Sequence, residues 1–113
     1  MSFGKLLRME QYRVVVTKTA KMELFQLGHY IATELCNPVV AISITDAIIK
    51  AIDSLAAMPF RFPLVRNKRL AAKGIRFLPV ENYIIFFSVK ETEKIVYIQH
   101  VFHGNRNWVE LLR

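Results

Sequence analysis

Apolar and polar positions follow two different periods along this chain, one typical of strands and one typical of helices. Tyr12–Thr17 (YRVVVT) is rich in β-branched side chains and predicts a first strand. Apolar residues then recur every three or four positions over two stretches, which predicts two helices. The first helical stripe consists of Ala20, Leu24, Leu27, Ile31 and Leu35. The second lies within about Val39–Met58 and consists of Ala41, Ile44, Ile48, Ile52 and Leu55.

The joint between these helices is short enough to require an antiparallel hairpin. Asn37 can cap the second helix and Pro38 suits its first helical position. Ile42 and Ile49 widen the apolar surface of the second helix beyond its stripe. We therefore expect this helix to lie between its neighbour and a sheet.

Three more strands are predicted after the hairpin, at Ile75–Val80, Tyr83–Val89 and Lys94–His103. Their short polar connections predict an antiparallel meander, with Tyr12–Thr17 as an edge strand of the same sheet. The apolar spacing of 105–113 predicts a short C-terminal helix. The predicted fold is α+β: an antiparallel helical hairpin packs on one face of a three- to four-stranded antiparallel sheet. The other face is expected to stay partly open.

Length and composition indicate one globular domain, because the chain has 113 residues of which 53% are hydrophobic. Residues 1–8 are expected to be a flexible leader, and residues 9–113 the single domain. No apolar run approaches the roughly 20 residues of a membrane span. The single cysteine, Cys36, permits no internal disulfide. We expect a soluble cytoplasmic protein that has no membrane partner.

Positive charge is concentrated in one segment, which changes the functional picture. The net charge is +7, and no carboxylate lies between Asp53 and Glu81. Six cations fall in that interval, at Arg61, Arg66, Lys68, Arg69, Lys73 and Arg76. Like charges within one segment repel each other, so this cluster favours an anionic partner such as nucleic acid or an acidic protein. A solvated basic loop is the alternative.

Five segments, read in order, resemble the RelE/ParE superfamily of bacterial type II toxins. They are YRVVVTKTAKMEL, YIATELCNPVVA, SLAAMPFRFP, GIRFLPVENYIIFFSV and IVYIQHVFHGNRNW. The resemblance spans about Tyr12–Leu112. It implies one of two activities: RelE-like members cut mRNA on the ribosome without a metal, and ParE-like members poison DNA gyrase. Both kinds are neutralised by a cognate antitoxin protein.

From this resemblance we expect a toxin that is a ribosome-associated mRNA endoribonuclease needing no cofactor. The alternatives are a ParE-like gyrase inhibitor, which the tail HGNRNWVELL also resembles, and an inactive toxin kept for antitoxin binding. Arg76 matches a family arginine that grips phosphate, and His103 matches a histidine found in several family nucleases. These two are the candidate catalytic residues, since a guanidinium binds phosphate at two points and imidazole transfers protons near neutrality. We expect Arg76→Ala to abolish toxicity and leave folding largely intact.

Purely structural interpretations of the same residues stay open. Arg76 could form a salt bridge with Glu81 or a helix carboxylate, and His103 could simply end a strand. Additional RNA or phosphate contacts are predicted at Arg61, Arg66, Lys68, Arg69, Lys73, Tyr83 and Arg106. Strand alternation places His100 and His103 on opposite faces, so no shared metal ion is expected. The cations are expected to converge with His103 on the open sheet surface.

Overall fold

The computed structural model describes residues 11–112. The predicted leader, residues 1–8, lies outside this range. In chain order the strands are β1 (Arg13–Val16), β2 (Arg76–Val80), β3 (Tyr83–Lys90) and β4 (Ile95–His103). The helices are α1 (Lys18–Thr33), α2 (Pro38–Ser54), α3 (Lys68–Ala72) and α4 (Trp108–Leu111), with a 3-10 turn at Pro59–Arg61. The α+β class is confirmed.

Side-chain caps fix where the three longer helical segments begin. The hydroxyl of Thr17 accepts the backbone N–H of Ala20 at 3.2 Å at the start of α1. The side chain of Asn37 accepts the backbone N–H of Val40 at the start of α2, as the sequence predicts. The side chain of Asn67 accepts the backbone N–H of Leu70 at the start of α3. Each cap satisfies one backbone N–H that a helix leaves unpaired in its first turn. The basic segment is therefore partly helical and is not a continuous loop.

The four strands form one sheet in the order β1-β4-β3-β2. Strands β2, β3 and β4 are the predicted antiparallel meander, and β1 is the predicted edge strand. The prediction of an entirely antiparallel sheet is wrong at one pair, because β1 runs parallel to β4. A tight turn forces a strand to reverse, whereas the long stretch of chain between β1 and β4 imposes no direction.

Apolar side chains pack on both faces of the sheet. The larger cluster lies between the hairpin and the sheet and includes Ile48, Leu55, Phe87 and Ile98. A second cluster covers the opposite face. It contains Val65, Leu70, Ile75, Phe86 and Phe102, with Trp108 packed against them. The expectation of a partly open second face is therefore wrong over this area, since α3 and α4 cover it.

A polar cluster ties the start of the domain to the β3–β4 turn. The Tyr12 hydroxyl donates to the carboxylate of Glu91, and the Lys94 ammonium donates to the same carboxylate. The hydrogen bond from Lys94 has the largest effect in lowering the pKa of Glu91, and the hydrogen bond from Tyr12 has the next largest.

Among residues 11–112, no helix is both long enough and apolar enough to cross a membrane.

Candidate functional site

Arg76 holds the proline-rich loop 59–63 against the first residue of β2. Its guanidinium donates a hydrogen bond of 2.6 Å to the backbone carbonyl of Phe62. The central guanidinium carbon also lies 4.9 Å from the centre of the Phe60 ring, within the range of a cation–π contact. The half-buried Arg76 thus bonds a backbone oxygen and an aromatic face, whereas the salt-bridge interpretation in the sequence analysis suggested Glu81 or a helix carboxylate as its partner.

Arg61 caps the end of α2. Its guanidinium donates to the carbonyl oxygens of Ala57 and Met58, and more weakly to that of Ser54 at 3.5 Å. These carbonyls follow or belong to the last turn of α2, where a helix carries partial negative charge and unpaired acceptors. The contacts give Arg61 a local structural role.

The four other cations of the basic segment form an exposed surface around α3. We call it the α3 surface; its members are Arg66, Lys68, Arg69 and Lys73. The helix is anchored by Leu70, which is fully buried in the cluster on the face opposite the hairpin. The α3 surface therefore points away from the hairpin side of the molecule.

His103, Tyr83 and Arg106 come together at the other end of the sheet. His103 ends β4 directly opposite Tyr83 on β3, and the two ring centres are 5.2 Å apart. All three border a cavity of about 830 Å³ below the hairpin tip, which we call the tip cavity. Burial raises the pKa of the Tyr83 hydroxyl, and the nearby Tyr30 raises it further.

The imidazole of His103 has one nitrogen already engaged. Its Nδ1 accepts the backbone N–H of Asn105 at 3.1 Å, so the neutral ring carries its proton on Nε2. The guanidinium carbon of Arg106 lies 5.6 Å from the centre of the Phe102 ring, and Arg106 is exposed. The cavity thus combines an imidazole, a phenol and a cation with apolar walls such as Ile31 and Ile44.

A carboxylate–imidazole pair that the sequence analysis missed also borders the tip cavity. Glu23 on α1 lies 2.9 Å from Nδ1 of His100 and accepts the backbone N–H of Val101 at 3.0 Å. Strand β1 ends opposite Ile98, so the next part of the β4 edge has no strand partner and Glu23 fills that role. No sequence signal marks this pair, because it depends on where β1 ends relative to α1.

His100 and His103 lie on opposite faces of β4, as strand alternation predicts, yet both border the tip cavity. His100 stacks on Phe102 of the second cluster, whereas His103 contacts Tyr83, which packs against the first. Within residues 11–112, no three side chains from His, Cys, Asp and Glu are grouped so as to hold a metal ion.

The structure does not bring the two candidate catalytic residues together. Arg76 pairs with Phe87, and His103 pairs with Tyr83, four residues away along β3. At about 3.3 Å per residue and about 4.8 Å per strand, the two Cα atoms are roughly 16 Å apart. The predicted convergence of Arg76 with His103 is therefore wrong, because Arg76 and the tip cavity lie at different ends of β3. The catalytic roles of Arg76 and His103 themselves stay predictions.

Comparison with known proteins places this geometry in a family. The model of the family described as the ParE toxin of the type II toxin–antitoxin system, parDE, matches residues 14–108. The chain is similar in structure to the chromosomal ParDE toxin–antitoxin system of P. aeruginosa, with a TM-score of 0.65 and 18% identity over 83% of this chain and 97% of that one. No protein of curated function matches the chain.

Two further solved structures have the same fold. The toxin–antitoxin complex RelBE2 of Mycobacterium tuberculosis gives a TM-score of 0.61 and 21% identity, over 85% of this chain and 94% of that one. A double mutant of the E. coli toxin RelE in the free state gives a TM-score of 0.62 and 13% identity, over 89% of this chain and 92% of that one. At these identities the likeness establishes the fold, and the family model carries the assignment. The chain belongs to the ParE toxin family of type II toxin–antitoxin systems, within the RelE/ParE superfamily.

Proposed function

We propose that this toxin stops growth by inhibiting DNA gyrase and that a cognate antitoxin neutralises it. The observation that carries the choice of target is the separation of Arg76 from His103. Metal-free RNA cleavage needs a base, an acid and a stabilising cation at one phosphate, each within hydrogen-bond reach. The Arg76 guanidinium is held by the Phe62 carbonyl and the Phe60 ring, whereas the His103 ring lies against Tyr83, with the two Cα atoms roughly 16 Å apart, so the two groups do not face one phosphate. The match to the ParE family model supports the same target.

The proposed antitoxin contact is the α3 surface. Its four exposed cations, Arg66, Lys68, Arg69 and Lys73, lie in a segment that contains no carboxylate. An acidic antitoxin segment would supply the missing counter-charges, and long-range attraction would speed the association. The family description and the P. aeruginosa and M. tuberculosis neighbours all pair such a toxin with an antitoxin.

A supercoiling assay tests the proposed target. Purified toxin is mixed with gyrase and relaxed plasmid, and in parallel with a translating extract whose mRNA is mapped by primer extension. We expect loss of supercoiling and intact mRNA, with recovery of supercoiling when the antitoxin is added. Cleaved mRNA together with normal supercoiling would overturn the proposal.

Endoribonuclease activity on ribosome-bound mRNA is the second candidate, and the tip cavity is the observation that favours it. His103 is suited to proton transfer, Tyr83 to stacking a base and Arg106 to binding phosphate. Under this alternative, His103→Ala abolishes mRNA cleavage, whereas the matched control His29→Ala, at an exposed position on α1, leaves it unchanged. Under the gyrase proposal, neither variant affects supercoiling inhibition.

A further inference from the structure

An exposed apolar patch lies along the proline-rich loop, just beyond the end of α2. We call it the loop patch; its members are Met58, Phe60 and Leu64, which are 51%, 46% and 40% exposed. None of the three belongs to either core cluster. The cores of protein interfaces are enriched in aromatic side chains, methionine and arginine, and contiguous exposed apolar patches mark interaction sites. The composition of the loop patch is therefore typical of a protein-binding surface.

The members of the loop patch lie close together around Arg76. The ring of Phe60 lies over the Arg76 guanidinium, with 4.9 Å between the ring centre and the central carbon. Leu64 forms an antiparallel bridge with Arg76, and side chains directly opposite each other in such a pair extend to the same face. Met58 caps the 3-10 turn that carries Phe60, two residues away. One small area of the surface thus holds all three side chains.

Contacts at both ends hold the loop in place before any partner arrives. Arg61 joins it to the end of α2, and Arg76 joins it to β2. Pro59 and Pro63 restrict the backbone between these two contacts. A surface that is already ordered loses little conformational entropy on binding, so more of its contact energy contributes to affinity. The loop patch is therefore preorganised for a partner.

The backbone conformation of Met58 is a second indication that the patch has a function. Its φ is 49° and its ψ is 54°, a left-handed conformation that glycine adopts more easily than methionine. Residues other than glycine are uncommon there, and such strain is concentrated at functional sites. Because the Met58 side chain is half exposed, packing within the domain offsets little of this strain. Contact with a partner gives the side chain a role that the isolated domain does not.

Positive charge borders the loop patch. Arg61 and Arg66 are both exposed, and residues 54–80 contain no carboxylate. The Glu91 carboxylate approaches this region through Tyr12, whose ring contacts that of Phe60, but it already accepts two hydrogen bonds. An apolar patch with cationic edges complements a protein surface that carries apolar side chains among carboxylates.

From these observations we infer that the loop patch is the surface through which this toxin contacts gyrase, and that the gyrase surface it meets is acidic. The inference rests on the proposed gyrase target. A second copy of the chain is disfavoured as the occupant, because it would bring the cations of two loop patches together. Arg66 follows Leu64 by two residues and also belongs to the α3 surface. An antitoxin held at the α3 surface would therefore cover one edge of the loop patch and exclude gyrase.

Dose–response curves for supercoiling inhibition test this inference, together with direct binding of the toxin to gyrase without DNA. Met58→Asp replaces the apolar side chain by a charge that an acidic partner repels, and aspartate tolerates the left-handed backbone. We expect the concentration for half-maximal inhibition to rise at least ~30-fold, as for an interface hot spot. The matched control is Met22→Asp, at a methionine on α1 that is 52% exposed, and it should change that concentration less than about 2-fold. Circular dichroism verifies that both variants fold.

A second pair of variants at Leu64 tests the charge of the partner and stands even if Met58→Asp folds poorly. Leu64→Glu and Leu64→Lys remove the same apolar side chain, but only the lysine suits an acidic surface. Leu64→Glu should therefore inhibit supercoiling about 10-fold more weakly than Leu64→Lys. Equal inhibition by the two variants, or the reverse order, overturns the acidic partner.

The same assays separate failure of this inference from failure of the proposed target. If native toxin inhibits gyrase and the Met58 and Leu64 variants inhibit equally well, the inference is overturned and the gyrase target stands. A native toxin that neither binds gyrase nor inhibits supercoiling overturns the target and the inference together. If the variants bind gyrase normally but lose binding to plasmid or to antitoxin, the loop patch belongs to that partner and the inference is overturned.

Discussion

Replacing Arg76 by alanine should destabilise the fold, where the sequence analysis expected folding to stay largely intact, because the guanidinium joins the loop 59–63 to β2. The variant loses a hydrogen bond from a charged donor to the Phe62 carbonyl, worth about 1.5–3 kcal/mol. It also loses the contact with the Phe60 ring, worth about 0.5–1 kcal/mol at this partly exposed position. Arg76 is only half buried, so we expect the free energy of unfolding to fall by about 2–3 kcal/mol. For a domain of this size that corresponds to a melting temperature lower by about 8–12 °C.

Thermal unfolding followed by circular dichroism measures this loss, with growth inhibition recorded for the same variants. Arg69→Ala is the control, because Arg69 is exposed on α3 and its removal should change stability by less than about 0.5 kcal/mol. An Arg76→Ala variant that melts at the native temperature would refute the structural role. If that variant also lost toxicity, Arg76 would act on the target directly, as the family resemblance implies.

Three further predictions concern other contacts. Glu23→Ala should lower the free energy of unfolding by about 1–3 kcal/mol, because the N–H of Val101 loses its acceptor. Glu23→Gln keeps an acceptor and should lose less in urea denaturation; equal losses would contradict this account. The pKa of Glu91 is lowered in the folded protein, so its contribution is complete above its ordinary pKa and disappears as the pH falls through the folded value. Native protein should therefore lose its stability advantage over Glu91→Gln as the pH falls below the ordinary glutamate pKa of 4.5, and a constant difference would contradict this. Finally, the effects of Arg76→Ala and His103→Ala on the free energy of unfolding should add within about 0.5 kcal/mol, since the two residues contact different groups; a larger coupling energy in a double-mutant cycle would contradict their separation.

The local parts of the fold could be predicted from the sequence. Stripes at three- and four-residue spacing gave both long helices, and Asn37-Pro38 gave the start of α2. Short polar connections gave the β2–β3–β4 meander. The parallel direction of β1 could not be predicted, because it is set by packing across the whole chain rather than by a turn. The short α3 was missed since its cations hid the cap at Asn67 and the single buried Leu70.

The candidate site was harder to predict because it depends on strand register. Placing Arg76 on β2 and His103 at the end of β4 was correct for each residue. Their separation follows from which residues of β3 they pair with, and that register depends on the two turns and on the irregularity between Phe86 and Phe87, which the strand pattern alone does not show. Charge counting likewise could not distinguish Arg61, which caps α2, from Lys68, which is exposed.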